Sequence, residues 1–159
     1  MNCKKIVAFI LLVMLVMTSY ITAFADTSSV KMGETKYKTY NNLTSAPTYR
    51  VTIVGQPYQQ LSVKLSFWDK ETEDALIKKY DTWANVPKDK KNTPWKKSNL
   101  KTVTFTLNNQ KSYIINMSAG KDFGFKKGRT TKARLSFTAK KTDKTKLGYN
   151  DPIKVTYPD

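Results

Sequence analysis

Between residues 60 and 67 the chain alternates without a fault. Leu61, Val63, Leu65 and Phe67 share one phase, and Gln60, Ser62, Lys64 and Ser66 share the other. A period of two is that of a β-strand with one buried and one wet face. The register is strongly set, because a slip of one residue would bury Lys64.

The rhythm recurs along the chain. Tyr49, Val51 and Ile53 alternate with Thr48, Arg50 and Thr52, and the run stops at Gly55-Gln56-Pro57. Val103, Phe105 and Leu107 alternate with threonines, and Tyr113, Ile115 and Met117 are in phase beyond the polar break Asn108-Asn109-Gln110-Lys111. Residues 100–117 are therefore expected to form an antiparallel hairpin. Ala133, Leu135, Phe137 and Ala139 alternate with Lys132, Arg134, Ser136 and Thr138 after a turn at Lys126-Lys127-Gly128-Arg129. Ile153, Val155 and Tyr157 supply a last strand, and residues 36–40 a short edge strand.

One region breaks the pattern. Leu76, Ile77, Tyr80, Trp83 and Ala84 have helical spacing. They predict a short helix over about 73–84, with Thr72 as its cap, acids in its first turn and Pro87 as its stop. Residues 88–97 read as an exposed basic loop. The expected fold is all-β: an antiparallel β-sandwich, Ig-like or similar, of about six to seven strands, with one short helix and loop insertion at 69–99. A small β-barrel is the alternative. Residues 26–47 are expected to be a polar N-terminal segment, and 48–159 a single sandwich domain.

The N-terminus has a different grammar. Lys4 and Lys5 precede an unbroken apolar run from Ile6 to Met17, and Ala23-Phe24-Ala25 closes it. This is the layout of a secretory signal peptide over 1–25, cleaved after Ala25. The apolar run is short for a membrane span, which needs about 20 residues. Cys3 lies ahead of that run, where no lipoprotein carries its acylated cysteine. The expected location is extracellular, with association to the cell envelope.

The mature chain would hold neither Cys nor His. It would be an exported domain without a disulfide, dependent on core burial for its stability. Thiol nucleophiles, imidazole bases and the usual zinc ligand sets are excluded at once. Ser118-Ala119-Gly120-Lys121 spells Ser-x-x-Lys, but the companion Ser-Asp-Asn and Lys-Thr-Gly motifs are missing. Asp69, Glu71, Glu73 and Asp74 cluster without the loop spacing of a calcium site. They are read as helix-start acids paired with Lys78 and Lys79. No catalytic residue, metal or cofactor is assigned.

What remains is charge. Without Lys4 and Lys5 the chain has 26 basic and 12 acidic residues, a net charge of +14. Such a field attracts polyanions. Trp68, Trp83 and Trp95 all lie among lysines, and Trp68 and Trp83 are expected to be core. Trp95, beside Pro94 and Lys96-Lys97, is the candidate exposed contact. The candidate binding residues are Trp95, Lys90, Lys91, Lys96 and Lys97, with Lys126, Lys127 and Arg129 as a second cluster. The reading is a secreted, non-enzymatic binder of anionic cell-wall polymer, polysaccharide or a lipid surface. Nucleic acid is allowed by the charge but not favoured. A cationic toxin or antimicrobial acting on membranes and a carboxylate-dependent hydrolase are the alternatives.

Overall fold

The computed structural model describes residues 25–106, 112–118, 125–141 and 150–159. The signal-peptide pattern before Ala25, the break at 108–111 and Lys121 of the Ser-x-x-Lys match lie outside them. Eight strands and one helix follow in order: β1 Ala25–Val30, β2 Thr35–Tyr40, β3 Thr48–Val54, β4 Gln59–Asp69, α1 Lys70–Tyr80, β5 Trp95–Thr104, β6 Ser112–Ser118, β7 Thr130–Lys141 and β8 Ile153–Pro158. They form two antiparallel sheets. Sheet A has the order β1-β8-β3-β6, and sheet B the order β2-β7-β4-β5.

The expected β-sandwich is what the chain forms. The alternating residues meet between the sheets: Leu61, Val63, Leu65, Ala133, Leu135, Phe137, Ala139, Val51, Ile53, Ile153 and Val155 are all fully buried. Each Leu, Ile or Phe so placed contributes about 1.5–3 kcal/mol. Gln59 is buried among them with its polar atoms satisfied. Its Oε1 accepts the Gln56 N–H at 2.8 Å, and its Nε2 donates to the Asp151 carbonyl at 2.6 Å.

Four expectations need correction. First, residues 100–117 are not a hairpin, since β5 pairs with β4 in sheet B and β6 pairs with β3 in sheet A. Phe105 is the last residue tied to β4, through bonds with Gln59 and Tyr58. Both sheets turn an apolar face to one core, so the same alternation serves strands that never pair. Second, residues 25–40 contribute not only the expected edge strand, β2 in sheet B, but also β1 in sheet A. β1 buries only Val30, and its polar residues are carried by backbone pairing with β8. Third, the helix spans Lys70–Tyr80 and buries no residue. It begins directly where β4 ends, and Asp81 at φ 70° ends it well before Pro87. Fourth, β5 starts at Trp95, so Trp95, Lys96 and Lys97 belong to a strand and not to the loop before it.

Candidate functional site

The site is built where β4 runs out of sheet. Trp68 has the outward phase of Lys64 and Ser66, yet it is only 6% exposed. The insertion between β4 and β5 folds over it. Trp83 meets its ring edge-on at 5.6 Å, and Trp95, its register partner, at 5.1 Å. Lys132 lies across it with Nζ 4.9 Å from the ring centroid. Its indole N–H donates to Glu73 at 2.7 Å. Trp68 is thus buried as expected, but outside the inter-sheet core. Trp83 is half-buried.

Backbone bonds gather three distant segments around the same strand end. The Asp69 N–H donates to the Pro94 carbonyl at 2.9 Å, and the Lys70 N–H to the Arg129 carbonyl at 3.0 Å. The turn before β7 is closed by Thr130 N–H to Lys126 carbonyl at 2.8 Å, with Gly128 at φ +79° where an L side chain would be strained. This turn sets Lys126 and Arg129 side by side.

A cavity of about 280 Å³ opens there, with Phe67 and Trp68 as its apolar wall and Asp69, Lys96, Lys126, Arg129 and Thr130 as its polar rim. Lys96 from the first basic cluster thus faces Lys126 and Arg129 from the second. Arg129 is already engaged, bonded to Asp69 at 3.2 Å and Glu71 at 2.6 Å. Burial alone would raise the pKa of Asp69. The hydrogen bond from Thr72, the guanidinium of Arg129 and, last, the charge of Lys96 outweigh it and hold the carboxyl below its ordinary value. Lys96 and Lys126, both exposed and without an ion pair among the described residues, are the cations left for a ligand.

The other candidates fall elsewhere. Lys90 pairs with Asp89 at 3.3 Å, and Lys91 donates to the Ala84 carbonyl at 3.3 Å. Lys127 is exposed on the turn but does not line the cavity. The side chain of Lys97 lies outside the description. Trp95 is half-buried rather than free, and one ring face is covered by Arg134 at 4.2 Å. Its strand position explains this, since it is the register partner of Trp68 on sheet B and meets that ring edge-on. The acids of 69–74 do not converge either. Asp69 and Glu71 face Arg129, Glu73 faces Trp68, and Asp74 pairs with Lys70 at 2.8 Å, where Lys78 and Lys79 were the expected partners. Among the described residues no group of three or more such side chains could hold a metal ion.

Two contributors escaped the sequence reading, Asp69 as an organiser and Phe67 as a wall. Only the β4–β7 register, which brings Asp69 opposite Thr130, could have revealed them. The chain matches no protein-family model and no curated protein. Function rests on this geometry.

Proposed function

We propose that the protein is a secreted, non-enzymatic β-domain that binds anionic polymer at the cell envelope. The observation that supports it is the convergence of Lys96 and Lys126 on one cavity with an apolar wall. Two ammonium groups with no ion pair among the described residues offer point contacts to phosphate or carboxylate, and Phe67 and Trp68 offer surface to the polymer backbone. The net charge of +14 on the mature chain adds long-range attraction. The signal-peptide pattern over 1–25 supports export.

The test is co-sedimentation of the mature chain with purified bacterial cell walls across a salt series. Binding is expected to fall steeply between roughly 50 and 200 mM salt, as contacts release counterions. Lys96→Gln with Lys126→Gln should weaken binding and flatten the log–log salt slope by about one per lost contact. Binding indifferent to both salt and the double substitution would overturn the reading. So would leakage of anionic liposomes in the absence of wall binding, which is the signature of the membrane alternative.

A further inference from the structure

The outer face of sheet B carries a basic feature that the end cavity does not use. Register places Leu100 opposite Lys64, Lys64 opposite Ser136, and Ser136 opposite Tyr37. One row thus crosses all four strands. Leu100 and Tyr37, each 60% exposed, stand at its ends, three strand spacings or roughly 14 Å apart. Between them lies a trough of about 270 Å³. Its floor is small and hydroxylated: Ser66 and Ser136 are buried, and Ser62 bonds Thr102 at 3.1 Å.

Arg134 is set into this trough. Its guanidinium carbon lies 5.0 Å from the Tyr37 ring centroid and 4.2 Å from that of Trp95. Among the described residues no carboxylate pairs with it, and its buried Nε has no hydrogen-bond partner. Burial lowers its pKa, and the neighbouring Tyr37 offsets the loss of solvent only in part. Lys64, exposed on the same surface, is likewise without an ion pair among the described residues. Most cations of a soluble domain stand in water. This one lies against two rings at the wall of a trough, with no carboxylate among the described residues to occupy its planar fork, which leaves the fork available to an anion.

We propose that the trough binds an acidic polysaccharide, with a uronate carboxylate held by Arg134 and Lys64 and a sugar ring against Tyr37. Hydroxyls that both donate and accept, as at Ser62 and Ser136, match those of a sugar. The planar fork of Arg134 matches a carboxylate. Nucleic acid fits less well. Stacking of successive bases needs several free rings, whereas Trp68 is buried, Trp95 is half-buried under Arg134, and Tyr37, with Arg134 against one face, is the exposed ring that borders the trough. The assignment rests on the reading of the protein as a binder of anionic polymer, and gives it a ligand class and a second contact surface.

Calorimetric titration of the mature chain with polygalacturonate oligomers tests it, against the same oligomers fully methyl-esterified and against single-stranded DNA. The acidic oligomer is expected to bind at least about tenfold more tightly than its ester, the worth of one charge-assisted bidentate contact. Tyr37→Ala with Lys64→Gln, both at exposed positions, should weaken it by a similar factor, about tenfold or more. Arg134→Lys, which keeps charge but loses the fork, should do the same. Equal affinity for acid and ester, tighter binding of DNA, or indifference to Tyr37→Ala with Lys64→Gln would overturn the proposal. If wall binding through Lys96 and Lys126 persists while the oligomer fails, the trough assignment alone falls. If the oligomer binds and walls do not, the envelope reading alone falls.

Discussion

Gly55 shows how one hydrogen atom can decide packing. A Cβ built there would lie 2.6 Å from Cε2 of Phe105. The ring is 1% exposed, and its backbone is tied to β4 by Phe105 N–H to the Gln59 carbonyl at 2.9 Å and Tyr58 N–H to the Phe105 carbonyl at 2.7 Å. Neither ring nor strand can retreat into solvent. Gly55→Ala is therefore expected to destabilise the fold by about 1–3 kcal/mol through overpacking. Urea denaturation measures it, and Phe105→Leu in the same chain should restore part of the loss. An unchanged midpoint for Gly55→Ala would show that the ring has room to move. At position 59 the cost has another origin. Gln59→Leu keeps the volume but removes the bonds to the Gln56 N–H and the Asp151 carbonyl, at about 0.5–1.5 kcal/mol each.

At the scale of elements, periodicity tells which face of a strand is buried and says little about its neighbours. Leu61–Phe67 and Ala133–Ala139 turn inward as their alternation requires. Val103 and Met117 are buried as well, yet their strands belong to different sheets. Nothing in residues 100–117 could distinguish a hairpin from a crossing between layers. β1 was illegible for the opposite reason. A strand held by backbone bonds, with Thr27 and Ser28 along it, needs no apolar rhythm. Of the candidate site, the two basic clusters were legible as charge, but their meeting at Lys96 and Lys126 depends on backbone staples at Pro94 and Arg129. Trp68 is the element-level hinge of this arrangement, because the whole insertion leans on it. Trp68→Ala should cost about 3–5 kcal/mol, the usual range for a buried tryptophan, and Trp83→Ala distinctly less, since that ring is half-buried. Denaturation curves of the two variants compare them directly. Equal costs would mean that the insertion does not hang on Trp68.

For the molecule as a whole the scarce carboxylates matter more than the plentiful lysines. Lys38 on β2 bonds Asp26 on β1 and Asp159 beyond β8, each at 2.6 Å, and so joins the two sheets at one end. Arg129 with Asp69 and Glu71 joins β4, α1 and the β7 turn at the sheet B end described above. The hydrogen bond and charge of Lys38 hold Asp159 below its ordinary pKa, and Asp69 is held low as well. A carboxyl depressed in the folded state adds stability that is complete above its unfolded pKa and is lost as pH falls through the folded one. Both contributions should therefore be present at neutral pH and disappear below about pH 4, the unfolded range of aspartate. The other carboxylates of the chain are protonated over the same interval, and with 28 basic against 12 acidic residues its self-repulsion grows. The melting temperature is expected to drop between neutral pH and pH 3 and to recover in part with added salt, which screens repulsion. Lys38→Met combined with Asp69→Asn should lower stability at neutral pH and flatten its fall in acid. If the double variant lost stability in acid as steeply as the parent, the two joints would not be its source, and the salt response would assign the loss to repulsion across the whole surface.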